Sequence, residues 1–474
     1  MFASGIYEHK NAFCSLSQET QMKFPTKETM QRIVISVLVT VSVLVLSSQY
    51  AVYADPIPKG WQASNIKAIG YSGLDGRGGA FKMAIRQVAG RWYLYMGHEW
   101  HRGWTIIDVT DATNPKFVKF VEGPDNTNTI QMELHDNLML TALQRKQPNW
   151  GGDPKRPHDE GVLLWDISDP ANWKQLSHWK SGGTGVHRVG YPGGKYASLS
   201  TSAPGFSRQI LLFLDVSDPK NPKEAGRWWM PGQKDGEEPK SDASFHGPAI
   251  ISDDGKTAYV GYGPAVVILD INDISKPKPI GQLTISPPFG AIPAHDVLPI
   301  PGKNLLFVHG EMTGEGDLPN GPLACTGPIT TAAMIDIKDP AKPLMISILP
   351  RPVPPKGAPY ADFCDKGGRF GPHNTNLEYH LPDVEKQADL ICLTYFNAGL
   401  RIFDIKNPRA PKEVGWFMPP TPNKRHGPLP YDKLVSQTED VLVDTRGNIY
   451  ITDKQWGVFV LRYTGPGQPK PTAK

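Results

Sequence analysis

Six times the chain runs an apolar strand into the same short phrase: an aspartate, a β-branched residue, a polar residue, and a turn that in five copies carries proline. Phe213-Leu214-Asp215-Val216-Ser217-Asp218-Pro219 is one copy, and the others centre on Asp108, Asp166, Asp270, Asp336 and Asp404. A worn seventh copy runs from Gly457 to Arg462. The aspartates lie 49 to 68 residues apart, which is room for four short antiparallel strands per unit. Repeats of this size stack as modules, each burying its apolar face against the next.

Within each unit the order is a strand, a glycine hairpin, an apolar strand, a loop, the strand ending in aspartate, the turn, and a last strand. Asp254-Gly255-Lys256, Pro301-Gly302-Lys303 and Arg446-Gly447-Asn448 are among the hairpins, where glycine supplies the positive φ of a tight turn. Units of four strands repeated around an axis predict an all-β, seven-bladed β-propeller, which leaves only short, protected sheet edges. The seventh unit ends after its third strand at Tyr463, whereas Asn65 to Tyr71 fits the missing fourth. Residues 61–72 are therefore expected to complete the last blade and close the ring. The repeated aspartate is explained by capping of turn N–H groups, without a catalytic role.

Ahead of the repeats, Ile33 to Leu46 is an uncharged run of 14 residues preceded by Lys23, Lys27 and Arg32 and followed by Val52-Tyr53-Ala54. That is the pattern of a secretory signal, and the run is shorter than the roughly 20 residues of a spanning helix. Residues 1–54 are expected to be leader and signal peptide and 55–474 the propeller, periplasmic, secreted or at the cell surface, with no membrane span in the mature chain. Removing 1–54, with four Lys/Arg and three Asp/Glu, leaves a net charge near +2. Nothing in that balance points to nucleic acid or to a polybasic membrane contact. Cys325 and Cys364 lie in Gly/Pro-rich loops of an exported chain and are expected to form a disulfide; Cys392, in an apolar run, reads as a buried small hydrophobe.

The strand and Asp-Pro-turn repeat resembles the LVIVD repeat family of bacterial and archaeal envelope proteins, over nearly the whole mature chain. That resemblance implies a propeller and leaves the biochemical role open.

The long loops, 144–160, 231–244, 309–330, 351–372 and 418–435, all fall on one face of such a ring, where function is expected. Four consecutive blades begin their inner strand with a histidine: His187, His246, His295 and His373. Met83, Asn128 or Thr129, and Thr438 take the matching slots elsewhere. Imidazoles converging on an axis suit a transition metal, Fe or Cu in preference to Zn, in an open and reactive site. The same ring could instead serve structure alone, by hydrogen-bonding neighbouring carbonyls. His98, Glu99, His309, Glu311 and Glu439 sit where they could be extra ligands or orient the imidazoles. No phosphate-binding loop, nucleophile elbow, haem-attachment motif or zincin helix is present in the sequence. Two functions remain: a metal-dependent oxidoreductase acting on a small substrate, or a non-catalytic envelope propeller binding a small molecule or an envelope protein on its looped face.

Overall fold

A computed structural model describes residues 55–311, 331–431 and 433–467. The expected leader, 1–54, and Cys325 lie outside the described residues. Seven antiparallel sheets follow one another around a ring. The first blade holds Ala80–Val88, Arg91–His98, Gly103–Asp108 and Lys116–Glu122 in spatial order, and the third holds Val186–Gly190, Tyr196–Ser202, Gln209–Asp215 and Lys223–Trp228. Side chains from inner strands of non-adjacent blades meet, as Arg188 of the third blade does with Asp296 of the fifth and Asn374 of the sixth. The inner strands therefore face one central axis.

The ring closes with an amendment to the expected register. Ile66–Ser72 pairs with Gly457–Tyr463 and completes the seventh blade. Gln62–Ser64 departs from the expectation and pairs with Lys412–Met418, as the outermost strand of the sixth blade. Asn65, at φ 55°, makes the step between the two sheets, and its side chain donates to the Val414 carbonyl at 2.7 Å. The sixth blade in turn has no regular inner strand: His373 to Thr375 runs alongside Leu390–Thr394 through His373 N–H to Thr394 O at 2.9 Å and an isolated bridge at Thr375.

The repeated phrase forms two consecutive side-chain-capped turns. Asp215 Oδ1 accepts from the Ser217 N–H at 3.0 Å and Asp218 Oδ1 from the Lys220 N–H at 3.1 Å, and the other five copies do the same. Each turn also docks on the preceding blade. Eleven residues after each aspartate comes Lys119, Ser177, Gly226, Gly281, Ser347 or Gly415. Lys119 and both serines donate to a turn carbonyl of the next blade, Ser177 to Pro219 at 2.7 Å and Ser347 to Pro408 at 2.5 Å. At Gly226 and Gly281 the carbonyls of Ile274 and Pro340 come so near that a Cβ would collide with them. Gly70, on the closing strand, receives the Ala112 carbonyl of the first blade in the same way.

We expect Gly281→Ala to destabilise the protein by about 2 kcal/mol, because backbone on both sides must give way. Ser347→Ala at the equivalent position should cost about 1 kcal/mol, the worth of its hydrogen bond. Chemical denaturation of the two variants checks the order. Truncation of residues 55–72, which uncovers a sheet edge and removes the buried Ile66 and Tyr71, should lower Tm by roughly 5–10 °C, read by a thermal melt.

Candidate metal centre

The inner strands are not regular where they approach the looped end of the axis. Their pairing slips between Ala80 and Met83, Val186 and Arg188, Ile292 and Asp296, and Thr438 and Val441. A bulge lifts the strict alternation of strand side chains, and successive residues then both reach the axis. His187 with Arg188, His295 with Asp296, His373 with Asn374 and Glu439 with Asp440 are such pairs. Met83, expected in the ring, belongs to the apolar core instead, and Lys82 and Phe81 take the axial positions.

All four predicted histidines come together. His187 Nε2 lies 3.2 Å from His246 Nε2, and the rings of His246 and His373 have centroids 4.3 and 5.1 Å from that of His295. Glu311, at the end of Leu305–Glu311, stands among them: its Oε2 is 3.3 Å from His295 Nε2 and 3.9 Å from His246 Nε2, and its Oε1 is 3.8 Å from His373 Nε2. The ring of His373 is stacked on Phe396 and edge-on to Phe81.

For two of the rings a neighbouring acceptor fixes which nitrogen carries the proton. Gln144 Oε1 accepts from His187 Nδ1 at 2.9 Å, and the Glu439 carbonyl accepts from His373 Nδ1 at 2.8 Å. His295 Nδ1 lies 3.2 Å from Asp296 Oδ1 without a hydrogen bond, while its Nε2 accepts from Arg188 Nη2 at 3.0 Å. The Nε2 atoms of His187 and His373 are thereby left as acceptors turned toward the other rings. Burial keeps all four neutral, pushing His187 down to about 3, His295 to about 4, and His246 and His373 well below the usual range.

Two arginines and two carboxylates complete the centre. Arg369, from the long loop 351–372, bonds Glu311, and Arg188 bonds Asp296 at 2.6 Å. Burial opposes ionisation of both acids. Arg369 and His295 nevertheless hold Glu311 below the ordinary carboxylate range, and His295 and Arg188 hold Asp296 well below it.

The five residues expected as helpers separate. Glu311 is central. Glu439 lies beside His373, with its carboxylate 3.1 Å from Nδ1, and His309 bonds Asp296 at 3.1 Å. Glu99 is linked to the centre through Lys454, which bonds it and lies 3.0 Å from Glu439. His98 is not brought in: its nitrogens bond Gly78 O at 3.1 Å and Thr105 Oγ1 at 2.7 Å within the first blade. Arg188, Asp296, Asn374, Gln144 and Arg369 were not singled out by sequence. Three of them sit next to a predicted histidine, Gln144 lies across a strand pair from Asn128, and Arg369 had no signal beyond its long loop. Cys364 is disulfide-bonded, and Cys392 is free and buried.

The donor set fits a metal ion. His246, His295 and Glu311 can each offer an atom within 4.8 Å of the others, and so can His295, Asp296 and His309. His295 Nε2 and a Glu311 carboxylate oxygen stand 3.3 Å apart, so an ion that displaced the Arg188 contact would find a nitrogen and an oxygen donor side by side.

No protein-family model matches this chain, and no curated protein matches it. Among solved structures, it is similar to the β-propeller domain of Cps50 (Swd1) from Myceliophteria thermophila, at 10% identity and TM-score 0.49, covering 81% of this chain and 96% of that one. A protein from Lactobacillus plantarum matches at 11% identity and TM-score 0.48, with 81% and 96% covered. At these identities the chemistry of the centre has to be read from its own residues.

His98 gives a pH test. Burial pushes it down to about 3 from an ordinary 6.5. Below pH 6.5 the unfolded chain binds a proton that the folded protein refuses. The contribution of His98 to stability is thus complete above 6.5 and is lost as pH falls toward 3, amounting to about 2 kcal/mol at pH 5. We expect His98→Gln to flatten the fall of Tm between pH 6.5 and 5, measured by thermal melts, with metal content unchanged.

Proposed function

We propose that His187, His246, His295, His373 and Glu311 hold one transition-metal ion, and that the protein is an exported, metal-dependent oxidoreductase acting on a small substrate from the looped face. The observation that carries this reading is the gathering of four buried imidazoles around the Glu311 carboxylate, with the Nδ1 protons of His187 and His373 turned away to Gln144 and the Glu439 carbonyl. The tightest part of the set is His246, His295 and Glu311, two histidines and a carboxylate as in non-haem Fe(II) sites, so iron is favoured over copper and zinc, with His187 and His373 as the further nitrogen donors. Such an ion supplies electron transfer or activation of an oxidant. The residues around it supply the rest: Arg188 and Arg369 offset Asp296 and Glu311, so a divalent ion leaves two positive charges and favours an anionic substrate. The charged n-region and apolar run ending at Leu46 support export, and a Cys364 disulfide to Cys325 would tie two loops of that face.

The second reading, a binding propeller without catalysis, is favoured by the contacts of Arg369 on Glu311 and Arg188 on His295, which partly satisfy the centre without an ion. Metal analysis of untagged protein separates the two. We expect close to one iron per chain, and a loss of at least about tenfold in His246→Ala and in Glu311→Gln with the circular dichroism spectrum retained. A wild-type protein that keeps none of Fe(II), Cu(II) or Zn(II) in stoichiometric amount leaves the binding reading standing.

A further inference from the structure

The opposite end of the axis, under the glycine hairpins, carries a separate cavity of about 600 Å³ lined by none of the four histidines. Tyr191, Tyr259, Leu377 and Tyr379 form walls, and Glu133 and His380 lie at its inner end. Glu133 is 2% exposed, and its Oε2 has no hydrogen-bond partner. His380 Nε2, 3.7 Å away, also has none. A carboxylate oxygen and an imidazole nitrogen thus meet at the cavity with no hydrogen bond to either, which is costly in a buried place.

Behind them is an excess of negative charge. The ammonium of Lys82 bonds Glu378 and lies 4.0 Å from both Glu133 Oε1 and Asp440 Oδ2, one cation among three carboxylates. Burial and the neighbouring Glu378 raise Glu133 well above the usual carboxylate range, the direction expected where one cation serves three carboxylates. A metal ion is a poor occupant here, because Lys82 already holds the middle of the carboxylates. Among the described residues, both groups able to hold a metal belong to the histidine centre.

We propose that this cavity is a second binding site, for a small primary ammonium compound whose N–H groups bond Glu133 Oε2 and His380 Nε2. The ammonium supplies donors to both orphaned atoms and a second positive charge to the three carboxylates, and the tyrosine faces favour a cation with an organic body. The site stands apart from the metal reading and does not depend on it.

The test is isothermal titration calorimetry of the full protein with propylammonium and 1,4-diaminobutane, against tetramethylammonium, sodium, calcium and manganese chlorides. We expect saturable binding of the primary ammonium compounds, at least about tenfold weaker in Glu133→Gln and in His380→Phe, and unchanged in His246→Ala. Tetramethylammonium, which has no N–H, should not bind. If Glu133→Gln fails to fold by circular dichroism, His380→Phe decides. No saturable binding of a primary ammonium, equal binding by the wild type and the deciding variant, equal binding of tetramethylammonium, or calcium or manganese binding that vanishes in Glu133→Gln would each overturn the proposal.

Discussion

The pairing of Ile66–Ser72 with Gly457–Tyr463 is the contact on which the rest of the ring depends. A blade cannot bury its own apolar faces, and each outer strand takes a turn carbonyl or an apolar side chain from the next blade. An open ring leaves one blade with an uncovered face and an unpaired edge. The axial residues feel this directly. Arg188, Asp296 and Asn374 come from three blades, so their distances are set by how the whole circle closes and not by any one sheet. The splitting of the closing segment over two sheets, with Gln62–Ser64 on the sixth blade, spreads the load of closure across the junction.

Charge around the histidine centre is arranged in opposed pairs. Burying a guanidinium or a carboxylate alone is prohibitive, and a pair is tolerated when most of its remaining donors and acceptors are met. Arg188 bonds Asp296, the Gly247 carbonyl, Asn374 and His295, leaving its Nε without a partner. One side chain therefore ties the third, fourth, fifth and sixth blades together at the axis. Structure and site are the same network there, which makes the bland reading of the histidines as structural groups and the metal reading parts of one arrangement.

The sequence made the period, the turns and the hairpins legible because they rest on local chemistry: an aspartate capping the N–H two residues on, and glycine at positive φ. It showed the four histidines because they recur in one slot. Arg188, Asp296, Asn374 and Asp440 were hidden by the bulges, since strict alternation turns the neighbour of an inward residue away from the axis, and one extra residue cancels that rule. Met83 was misplaced for the same reason. The glycine eleven residues after the aspartate is silent in sequence, because its role lies in a carbonyl of the next blade. His98 follows a strand into the looped end as His309 does, and only the side-chain environment shows that one is held by Thr105 and the other by Asp296.

Lys82, Asp440, Glu378, Arg188 and Asp296 are each less than 10% exposed, and together they fill the middle of the axis. They stand between the histidine centre and the cavity at the hairpin end. A ligand barred from crossing them would enter the histidine centre from the looped side and leave by the same way. An ion and a substrate that shared this doorway would exchange in a fixed order, the substrate last in and first out. A bound substrate would then slow loss of the ion to chelators, as a stopper does, without touching the ion's own ligands.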